Sequence, residues 1–390
     1  MPFENFRAED IERIYKGRFA PGNRVELLWR GAETFRRIFD TLRAAKESIC
    51  LEFYIFRADE TGRELAAILK EKAREGVRVY VLYDHFGSLG TPRRFWRGLR
   101  EAGVNVSPFH GFDYRNLGRY VHRDHRKLII VDGEVAFTGG LNIANEYRGF
   151  HLRLKHKEGW RDTGVLIRGP VAGALLQSFA KHWRPPKSFL DSSQIPFEVE
   201  TPHLRPEGVL PVIPIFAGSA RGRRKLRRLL YYSINHSKKS ILLTTAYFCP
   251  SRRMLETIEA ATNRGVEIKL LLPGISDVPA AAYAARAFYE RLLERGVRIY
   301  HYMGDVLHAK SYVFDCCWSI VGSANLDFQS LRWNDEGNVG ILDRDFAAML
   351  TELFHDDLRS SKEIELAAWK NRPLWGKVKE RFFSYFRRRL

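Results

Sequence analysis
His125-Arg126-Lys127-Leu128-Ile129-Ile130-Val131-Asp132 leads, six residues on, to Gly139-Gly140-Leu141-Asn142. The same spacing returns in His308-Ala309-Lys310-Ser311-Tyr312-Val313-Phe314-Asp315 and Gly322-Ser323-Ala324-Asn325. A histidine and a lysine two apart in an extended segment share one face, because strand side chains repeat every second residue. The apolar residues 128–131 and 311–314 continue each strand. The Gly-Gly and Gly-Ser pairs allow tight turns that bring Asn142 and Asn325 back toward that surface.

Around these stretches the chain repeats more widely. Ala45-Lys46-Glu47-Ser48-Ile49 through Tyr54-Ile55-Phe56 matches Ser237-Lys238-Lys239-Ser240-Ile241 through Tyr247-Phe248. A helical run from Leu65 to Glu75 stops at Gly76 before the apolar 77–82, and Met254 to Arg264 stops at Gly265 before 266–271. Glycine closing a helix before a buried strand is a helix-stop signal. A further helix–glycine–strand unit follows in each half, at Gly103 and Gly296. The pattern predicts α/β architecture: two repeated lobes related by a pseudo-twofold, each a mixed, mostly parallel sheet flanked by helices. The expected divisions are a first lobe over 1–184, a proline-rich linker over 185–214, a second lobe over 215–358 and a basic amphipathic tail over 359–390.

At 390 residues the chain exceeds one ordinary core. Its 45% hydrophobic and 13% aromatic content excludes bulk disorder. No apolar run reaches the roughly 18–20 residues of a spanning helix, and the acidic start lacks the features of a signal peptide. The four cysteines form no disulfide framework or metal pattern, and His85, His110, His151, His156 and His301 have no ligand spacing, so neither a metal nor a cofactor is expected. The net charge of +18 suits nucleic acid, an anionic membrane or a phosphorylated substrate alike. Arg221 to Arg228 carries six basic residues in eight and reads as a solvated helical face. In the tail, Leu374, Trp375, Val378, Phe382, Phe383, Tyr385 and Phe386 are interleaved with seven Lys/Arg. That composition fits either an anionic membrane surface or a helix packed on its own domain.

These residues resemble the phospholipase D superfamily, marked by a duplicated His-x-Lys-x4-Asp motif, and the likeness spans nearly the whole chain. Within it the sequence looks most like the bacterial cardiolipin synthases, on 125–147, 159–170 and 308–336, and like their shorter, peripheral type, at the cytoplasmic face of the membrane. Gln329, Cys316-Cys317 and His182 depart from the family pattern. The resemblance implies transfer of a phosphatidyl group through a phosphohistidine to phosphatidylglycerol, giving cardiolipin and releasing glycerol. Hydrolysis of phospholipids and a nuclease-type phosphodiesterase are the alternatives; no nucleic-acid partner is expected, since no recognisable nucleic-acid module is present.

Cleaving a phosphodiester without a metal needs a nucleophile, a proton donor for the leaving alkoxide and fixed positive charge around the phosphoryl oxygens. One His-Lys set supplies half of this; two facing sets supply all of it. The expected catalytic residues are therefore His125, Lys127, Asp132, His308, Lys310 and Asp315, with Lys127, Lys310, Asn142 and Asn325 gripping phosphate. By resemblance, His125 is the nucleophile and His308 the general acid, and the motif aspartates Asp132 and Asp315 are mainly structural. Each histidine also needs an orienting carboxylate. The repeat equivalents Asp162 and Glu336 are assigned within their own halves, Asp162 to His125 and Glu336 to His308. Glu146 and Tyr147 are candidate pocket residues, and His122 has no expected chemical role.

Overall fold
The computed structural model describes residues 5–110, 122–149, 159–183, 196–202 and 205–385; His151, His156 and the end of the tail lie outside them. After helix α1 (Ala8–Tyr15), the first repeat runs β1 (Ala20–Leu28), α2 (Gly31–Arg43), β2 (Ser48–Phe53), α3 (Glu60–Arg74), β3 (Arg78–Asp84), α4 (Arg93–Arg100), β4 (Asn105–Phe109), β5 (Lys127–Val131), β6 (Val135–Gly139), α5 (Asn145–Arg148), β7 (Gly164–Arg168) and α6 (Pro170–His182). The second runs β8 (Leu210–Phe216), α7 (Ala220–His236), β9 (Ser240–Thr245), α8 (Arg252–Asn263), β10 (Glu267–Pro273), α9 (Pro279–Arg286), α10 (Tyr289–Glu294), β11 (Arg298–Tyr302), β12 (Lys310–Phe314), β13 (Trp318–Gly322), α11 (Phe328–Arg332), β14 (Gly337–Leu342) and α12 (Arg344–Arg359). The short strand β15 (Ser361–Glu363) and helices α13 (Leu366–Lys370) and α14 (Leu374–Tyr385) follow.

Among the described residues, fifteen strands form one sheet in the order β15-β11-β10-β9-β12-β13-β14-β8-β1-β7-β6-β5-β2-β3-β4. Apart from β15 the order reads alike from both ends, with the antiparallel pair β8–β1 at its centre. Helices cover both faces, as the α/β reading requires, but the balance within the sheet differs from expectation. Only β2–β3, β3–β4, β9–β10 and β10–β11 are parallel. The motif strands instead form meanders, β5-β6-β7 and β12-β13-β14, whose short turns dictate antiparallel pairing.

Two boundaries also differ from the sequence reading. Residues 210–216, read with the proline-rich linker, are the strand β8 at the heart of the sheet. Proline cannot donate to a ladder; here the ladder to β1 is irregular between Ala20 and Asn23, where the Asn23 amide donates to the Ala20 and Leu210 carbonyls. At the other end, Phe6, Ile11 and Tyr15 of the first segment are buried in the second lobe's core, beside Leu226, Leu230 and Phe314. The first lobe has its own core under α2 and α3, built on Phe35, Phe39, Leu65 and Leu69.

The tail packs on its own domain along one face. Phe383 stacks on Tyr283 of α9 at 5.6 Å, and the buried Glu380 pairs with Arg372 at 2.8 Å. Val378, Phe382 and Tyr385, spaced four and three residues apart on α14, stay exposed. Among the described residues, no helix is long and apolar enough to cross a membrane.

Candidate active site
Each motif histidine stands just before a motif strand, held by the other lobe. The His125 N–H donates to the Asp335 carbonyl at 2.9 Å, and the Asp335 N–H to the Arg123 carbonyl at 2.8 Å. In the second copy the His308 N–H donates to the Arg161 carbonyl at 2.8 Å, and the Arg161 N–H to Val306 at 2.9 Å. These paired bridges clip residues 123–125 to 335 and residues 306–308 to 161.

The clips decide which carboxylate each imidazole meets. His125 Nδ1 lies 3.0 and 3.1 Å from the Glu336 carboxylate oxygens, and His308 Nδ1 lies 2.8 Å from Asp162 Oδ2. Asp162 and Glu336 are the orienting carboxylates, but their assignment within each half is corrected: the pairs cross between the lobes. Residues 161–162 and 335–336 precede β7 and β14, which flank the central pair β8–β1, so each loop reaches the other lobe's motif before its own.

His125, Lys127, Asn142 and Asp162, and their counterparts His308, Lys310, Asn325 and Glu336, are all buried. Burial, reinforced by the Lys127 and Lys310 cations, holds His125 well below the usual histidine range. His308 is lowered by burial and Lys310, with Asp162 opposing. Burial pushes Lys127 down to about 7 against the pull of Glu336, and Lys310 to about 8 against Asp162 and Asp277. Glu336 itself is driven up to about 8 by burial, with Lys127 opposing. With Nδ1 of each ring bound to a carboxylate, Nε2 is the nitrogen left for chemistry.

Lys127 Nζ donates to the His125 carbonyl at 2.7 Å; Lys310 Nζ contacts the His308 carbonyl and lies 2.9 Å from its Nδ1. Asn142 accepts from the Ile55 N–H and donates to the Tyr147 hydroxyl at 2.8 Å, and Asn325 accepts from Thr245 and the Tyr247 N–H. These contacts fix the lysines and amides at the mouth of each motif strand.

The motif aspartates sit elsewhere. Asp132 and Asp315 lie at the far ends of β5 and β12, with the strand, about 17 Å long at ~3.3 Å per residue, between them and the histidines. The Asp132 carboxylate accepts from the N–H groups of Lys46, Glu47 and Ser48, and Asp315 from those of Lys238, Lys239 and Ser240. Their place in the catalytic set is corrected to the structural one that the resemblance implies: each ties its motif strand to the start of the neighbouring antiparallel strand, β2 or β9.

Sequence reasoning passed over Ser323, whose hydroxyl donates to Glu336 while accepting from the Gly337 N–H at 3.0 Å. Of the aromatic walls it named only Tyr147. Tyr54 packs 5.2 Å from His125, and Tyr147, Trp160 and Tyr247 lie 5.4, 5.8 and 6.2 Å from His308. Tyr54 and Tyr247 are repeat equivalents, a signal that was legible. Glu146, by contrast, pairs with Arg57 at 2.9 Å. His122 meets the Trp333 carbonyl and Arg223.

Beside the site, Glu52, Asp124 and His182 bring ligand-type atoms within 4.8 Å of one another. Arg126 already pairs with Glu52 at 3.1 Å. Burial and Arg126 oppose protonation of His182, but Glu52 and Asp335 outweigh them and raise it to about 10. His182 lies 2.7 Å from Glu52 and 3.4 Å from Asp335, which also pairs with Arg223, so the cluster is part of an ion-pair network joining the lobes.

Residues 38–183 and 230–358 match the family described as "Cardiolipin synthase, PLD-like domain". The chain is 32% identical over 363 residues to the major cardiolipin synthase ClsA of Bacillus subtilis, covering 93% of this chain and 74% of that one. It is 36% identical over 345 residues to cardiolipin synthase A of Pseudomonas fluorescens, covering 88% and 70%. The crystal structure of phosphatidylserine synthase from Haemophilus influenzae superposes with a TM-score of 0.76 at 16% identity, over 98% of this chain and 100% of that one. At that identity the likeness concerns the fold.

Proposed function
Because the chain belongs to the cardiolipin synthase family of phospholipase D-like proteins, we propose that it is a phosphatidyltransferase that joins two molecules of phosphatidylglycerol into cardiolipin and releases glycerol. The observation that carries this reading is the pair of buried histidines, each bound through Nδ1 to a carboxylate of the opposite lobe.

In the first step His125 Nε2 attacks the phosphorus of one phosphatidylglycerol. A P–N bond forms as the P–O bond to glycerol breaks, and His308 Nε2 gives its proton to the departing oxygen. In the second, a hydroxyl of another phosphatidylglycerol passes its proton to His308 and attacks the same phosphorus, releasing His125. The division of roles follows the electrostatics. A nucleophile must be neutral, and burial with the Lys127 and Lys310 cations holds His125 well below the usual histidine range. His308 keeps a carboxylate that favours its charged form. Lys127, Lys310 and the amides of Asn142 and Asn325 grip the non-bridging oxygens, where charge builds up in the transition state.

Transfer in place of hydrolysis requires that water be kept from the phosphohistidine. Exposed Phe86, Leu89, Ile275, Val278, Met303 and Trp333 stand on loops after β3, β10, β11 and α11, the strand ends nearest the motifs. They suit contact with acyl chains. Together with the outward stripe on α14 they favour a peripheral position on the cytoplasmic face of an anionic membrane.

The test is lipid mass spectrometry after incubation with phosphatidylglycerol vesicles. Cardiolipin from the wild type and none from His125→Ala or His308→Ala is the expected result. Phosphatidic acid in place of cardiolipin would make the enzyme a hydrolase, and product from either variant would break the two-histidine mechanism.

A further inference from the structure
Helices α7, α8 and α11 of the second lobe enclose an open bowl of about 420 Å³. Six guanidinium groups ring it: Arg224, Arg227 and Arg228 from α7, Arg252 and Arg253 from the first turn of α8, and Arg332 from the end of α11. Arg252 pairs with Glu256 at 2.7 Å. Among the described residues, the other five have no carboxylate within ion-pair distance.

Like charges gathered without counter-charges cost stability, so their retention points to something that neutralises them. They are also held in place. Arg227 donates to the Leu331 carbonyl, Arg253 lies 4.9 Å over the Tyr231 ring, and Arg332 lies 5.4 Å over Phe328. Burial and the neighbouring Arg332, Arg224 and Arg223 lower Arg227. The start of α8, capped by Ser251, adds free backbone N–H groups to the same wall.

The internal repeat supplies a control. The register that aligns Ala45 with Ser237, Leu65 with Met254 and Asn142 with Asn325 puts an equivalent bowl between α2, α3 and α5 of the first lobe, where Glu64 stands among Arg36, Arg43 and Arg148, with Ala32 and Gly149 beside them. There Glu64 neutralises Arg148 at 2.5 Å and reaches Arg43 at 3.5 Å. At the equivalent places in the second lobe, Ala32 is replaced by Arg224, Glu64 by Arg253 and Gly149 by Arg332. One copy of the bowl keeps Glu64 among three arginines; the other has no acid among its six lining arginines.

We propose that the second-lobe bowl is a phosphate-binding site separate from the catalytic centre, taking the phosphate ester of an anionic glycerolipid headgroup. Guanidinium forks match phosphate oxygens in pairs. The same chemistry would take a free phosphate, and the choice of lipid rests on the function proposed above.

The experiment compares the full chain with Arg253→Gln/Arg332→Gln and with Arg94→Gln/Arg97→Gln, an equal loss of charge on exposed α4. Each protein is co-sedimented with phosphatidylcholine vesicles carrying phosphatidic acid, and titrated calorimetrically with inorganic phosphate and glycerol 3-phosphate. Cardiolipin formation in detergent micelles is recorded alongside, so that a failure of the catalytic assignment is seen separately. Two lost charge-assisted contacts should weaken binding about tenfold or more in the bowl variant alone. Loss confined to vesicles assigns the lipid headgroup; loss with the free esters assigns a soluble phosphate. Equal binding of every probe by the two double variants would overturn the site.

Discussion
The two half-sites occupy equivalent places in the repeat and yet are chemically unequal. The His308 half uses Asp162, whose carboxylate lies so close to Gly140 that a Cβ there would stand 2.1 Å from Oδ1. The His125 half uses Glu336, one methylene longer, and the position equivalent to Gly140 is Ser323, whose hydroxyl donates to that carboxylate. Aspartate with glycine and glutamate with serine are matched pairs. One pair is smaller on both sides and the other larger on both, and in the larger pair the serine hydroxyl bonds the carboxylate. The difference teaches that the pseudo-twofold fixes where the groups stand, while the local packing divides the labour between them.

The largest expected effect tests that division. Glu336→Gln and Asp162→Asn should each lower phosphatidyl transfer about 10²–10⁴-fold, the usual worth of a positioned acid–base group. They should part company on a phosphatidyl p-nitrophenyl ester, whose leaving group needs no proton. Asp162→Asn should still release one equivalent of nitrophenol in a burst and then stall, because His308 cannot activate the acceptor. Glu336→Gln should give no burst, because the nucleophile is lost. The reverse pattern would exchange the roles of the histidines, and identical behaviour would erase the distinction drawn above.

A smaller contrast lies at the matched residues. Gly140→Ala pushes the Asp162 carboxylate off His308; the displaced group is the end of a side chain, so turnover should fall about 100-fold with little loss of fold. Ser323→Ala removes one hydrogen bond to Glu336 and should cost about tenfold. Circular dichroism and transfer rates measured together check both. Ser323→Ala as damaging as Gly140→Ala would mean that the hydroxyl does more than orient.

How far the sequence could be read follows from the range of each interaction. The His-Lys spacing, the helix-stop glycines at Gly76 and Gly265 and the duplicated strands are local signals, and they disclosed the α/β repeat and its histidines and lysines. Partner choice across the lobes is not local. Asp162 and Glu336 were recognisable as equivalents, but only the bridges from 123–125 to 335 and from 306–308 to 161 decide which histidine each one meets. Prolines misled at β8, because propensity argued for a linker where an irregular ladder tolerates them. Phe6 and Ile11 carry no mark in the sequence that sends them to the second lobe's core.

The smallest effect concerns stability, and it bears on the same asymmetry. Glu336 titrates near 8 in the folded protein but near its ordinary value of about 4.3 when unfolded. Between these values the folded state holds the extra proton, so the contribution of this group is fully present below about 4 and is lost as the pH rises through about 8. At pH 8.5 the buried carboxylate therefore carries a cost that an uncharged amide does not. Glu336→Gln should raise the unfolding temperature on the order of 2 °C at pH 8.5 relative to its effect at pH 5, while remaining inactive. Differential scanning calorimetry at the two pH values checks this. A variant less stable than the wild type at pH 8.5, by more than at pH 5, would mean that Lys127 and Ser323 more than compensate the buried charge, and that Glu336 rests on His125 fully ionised.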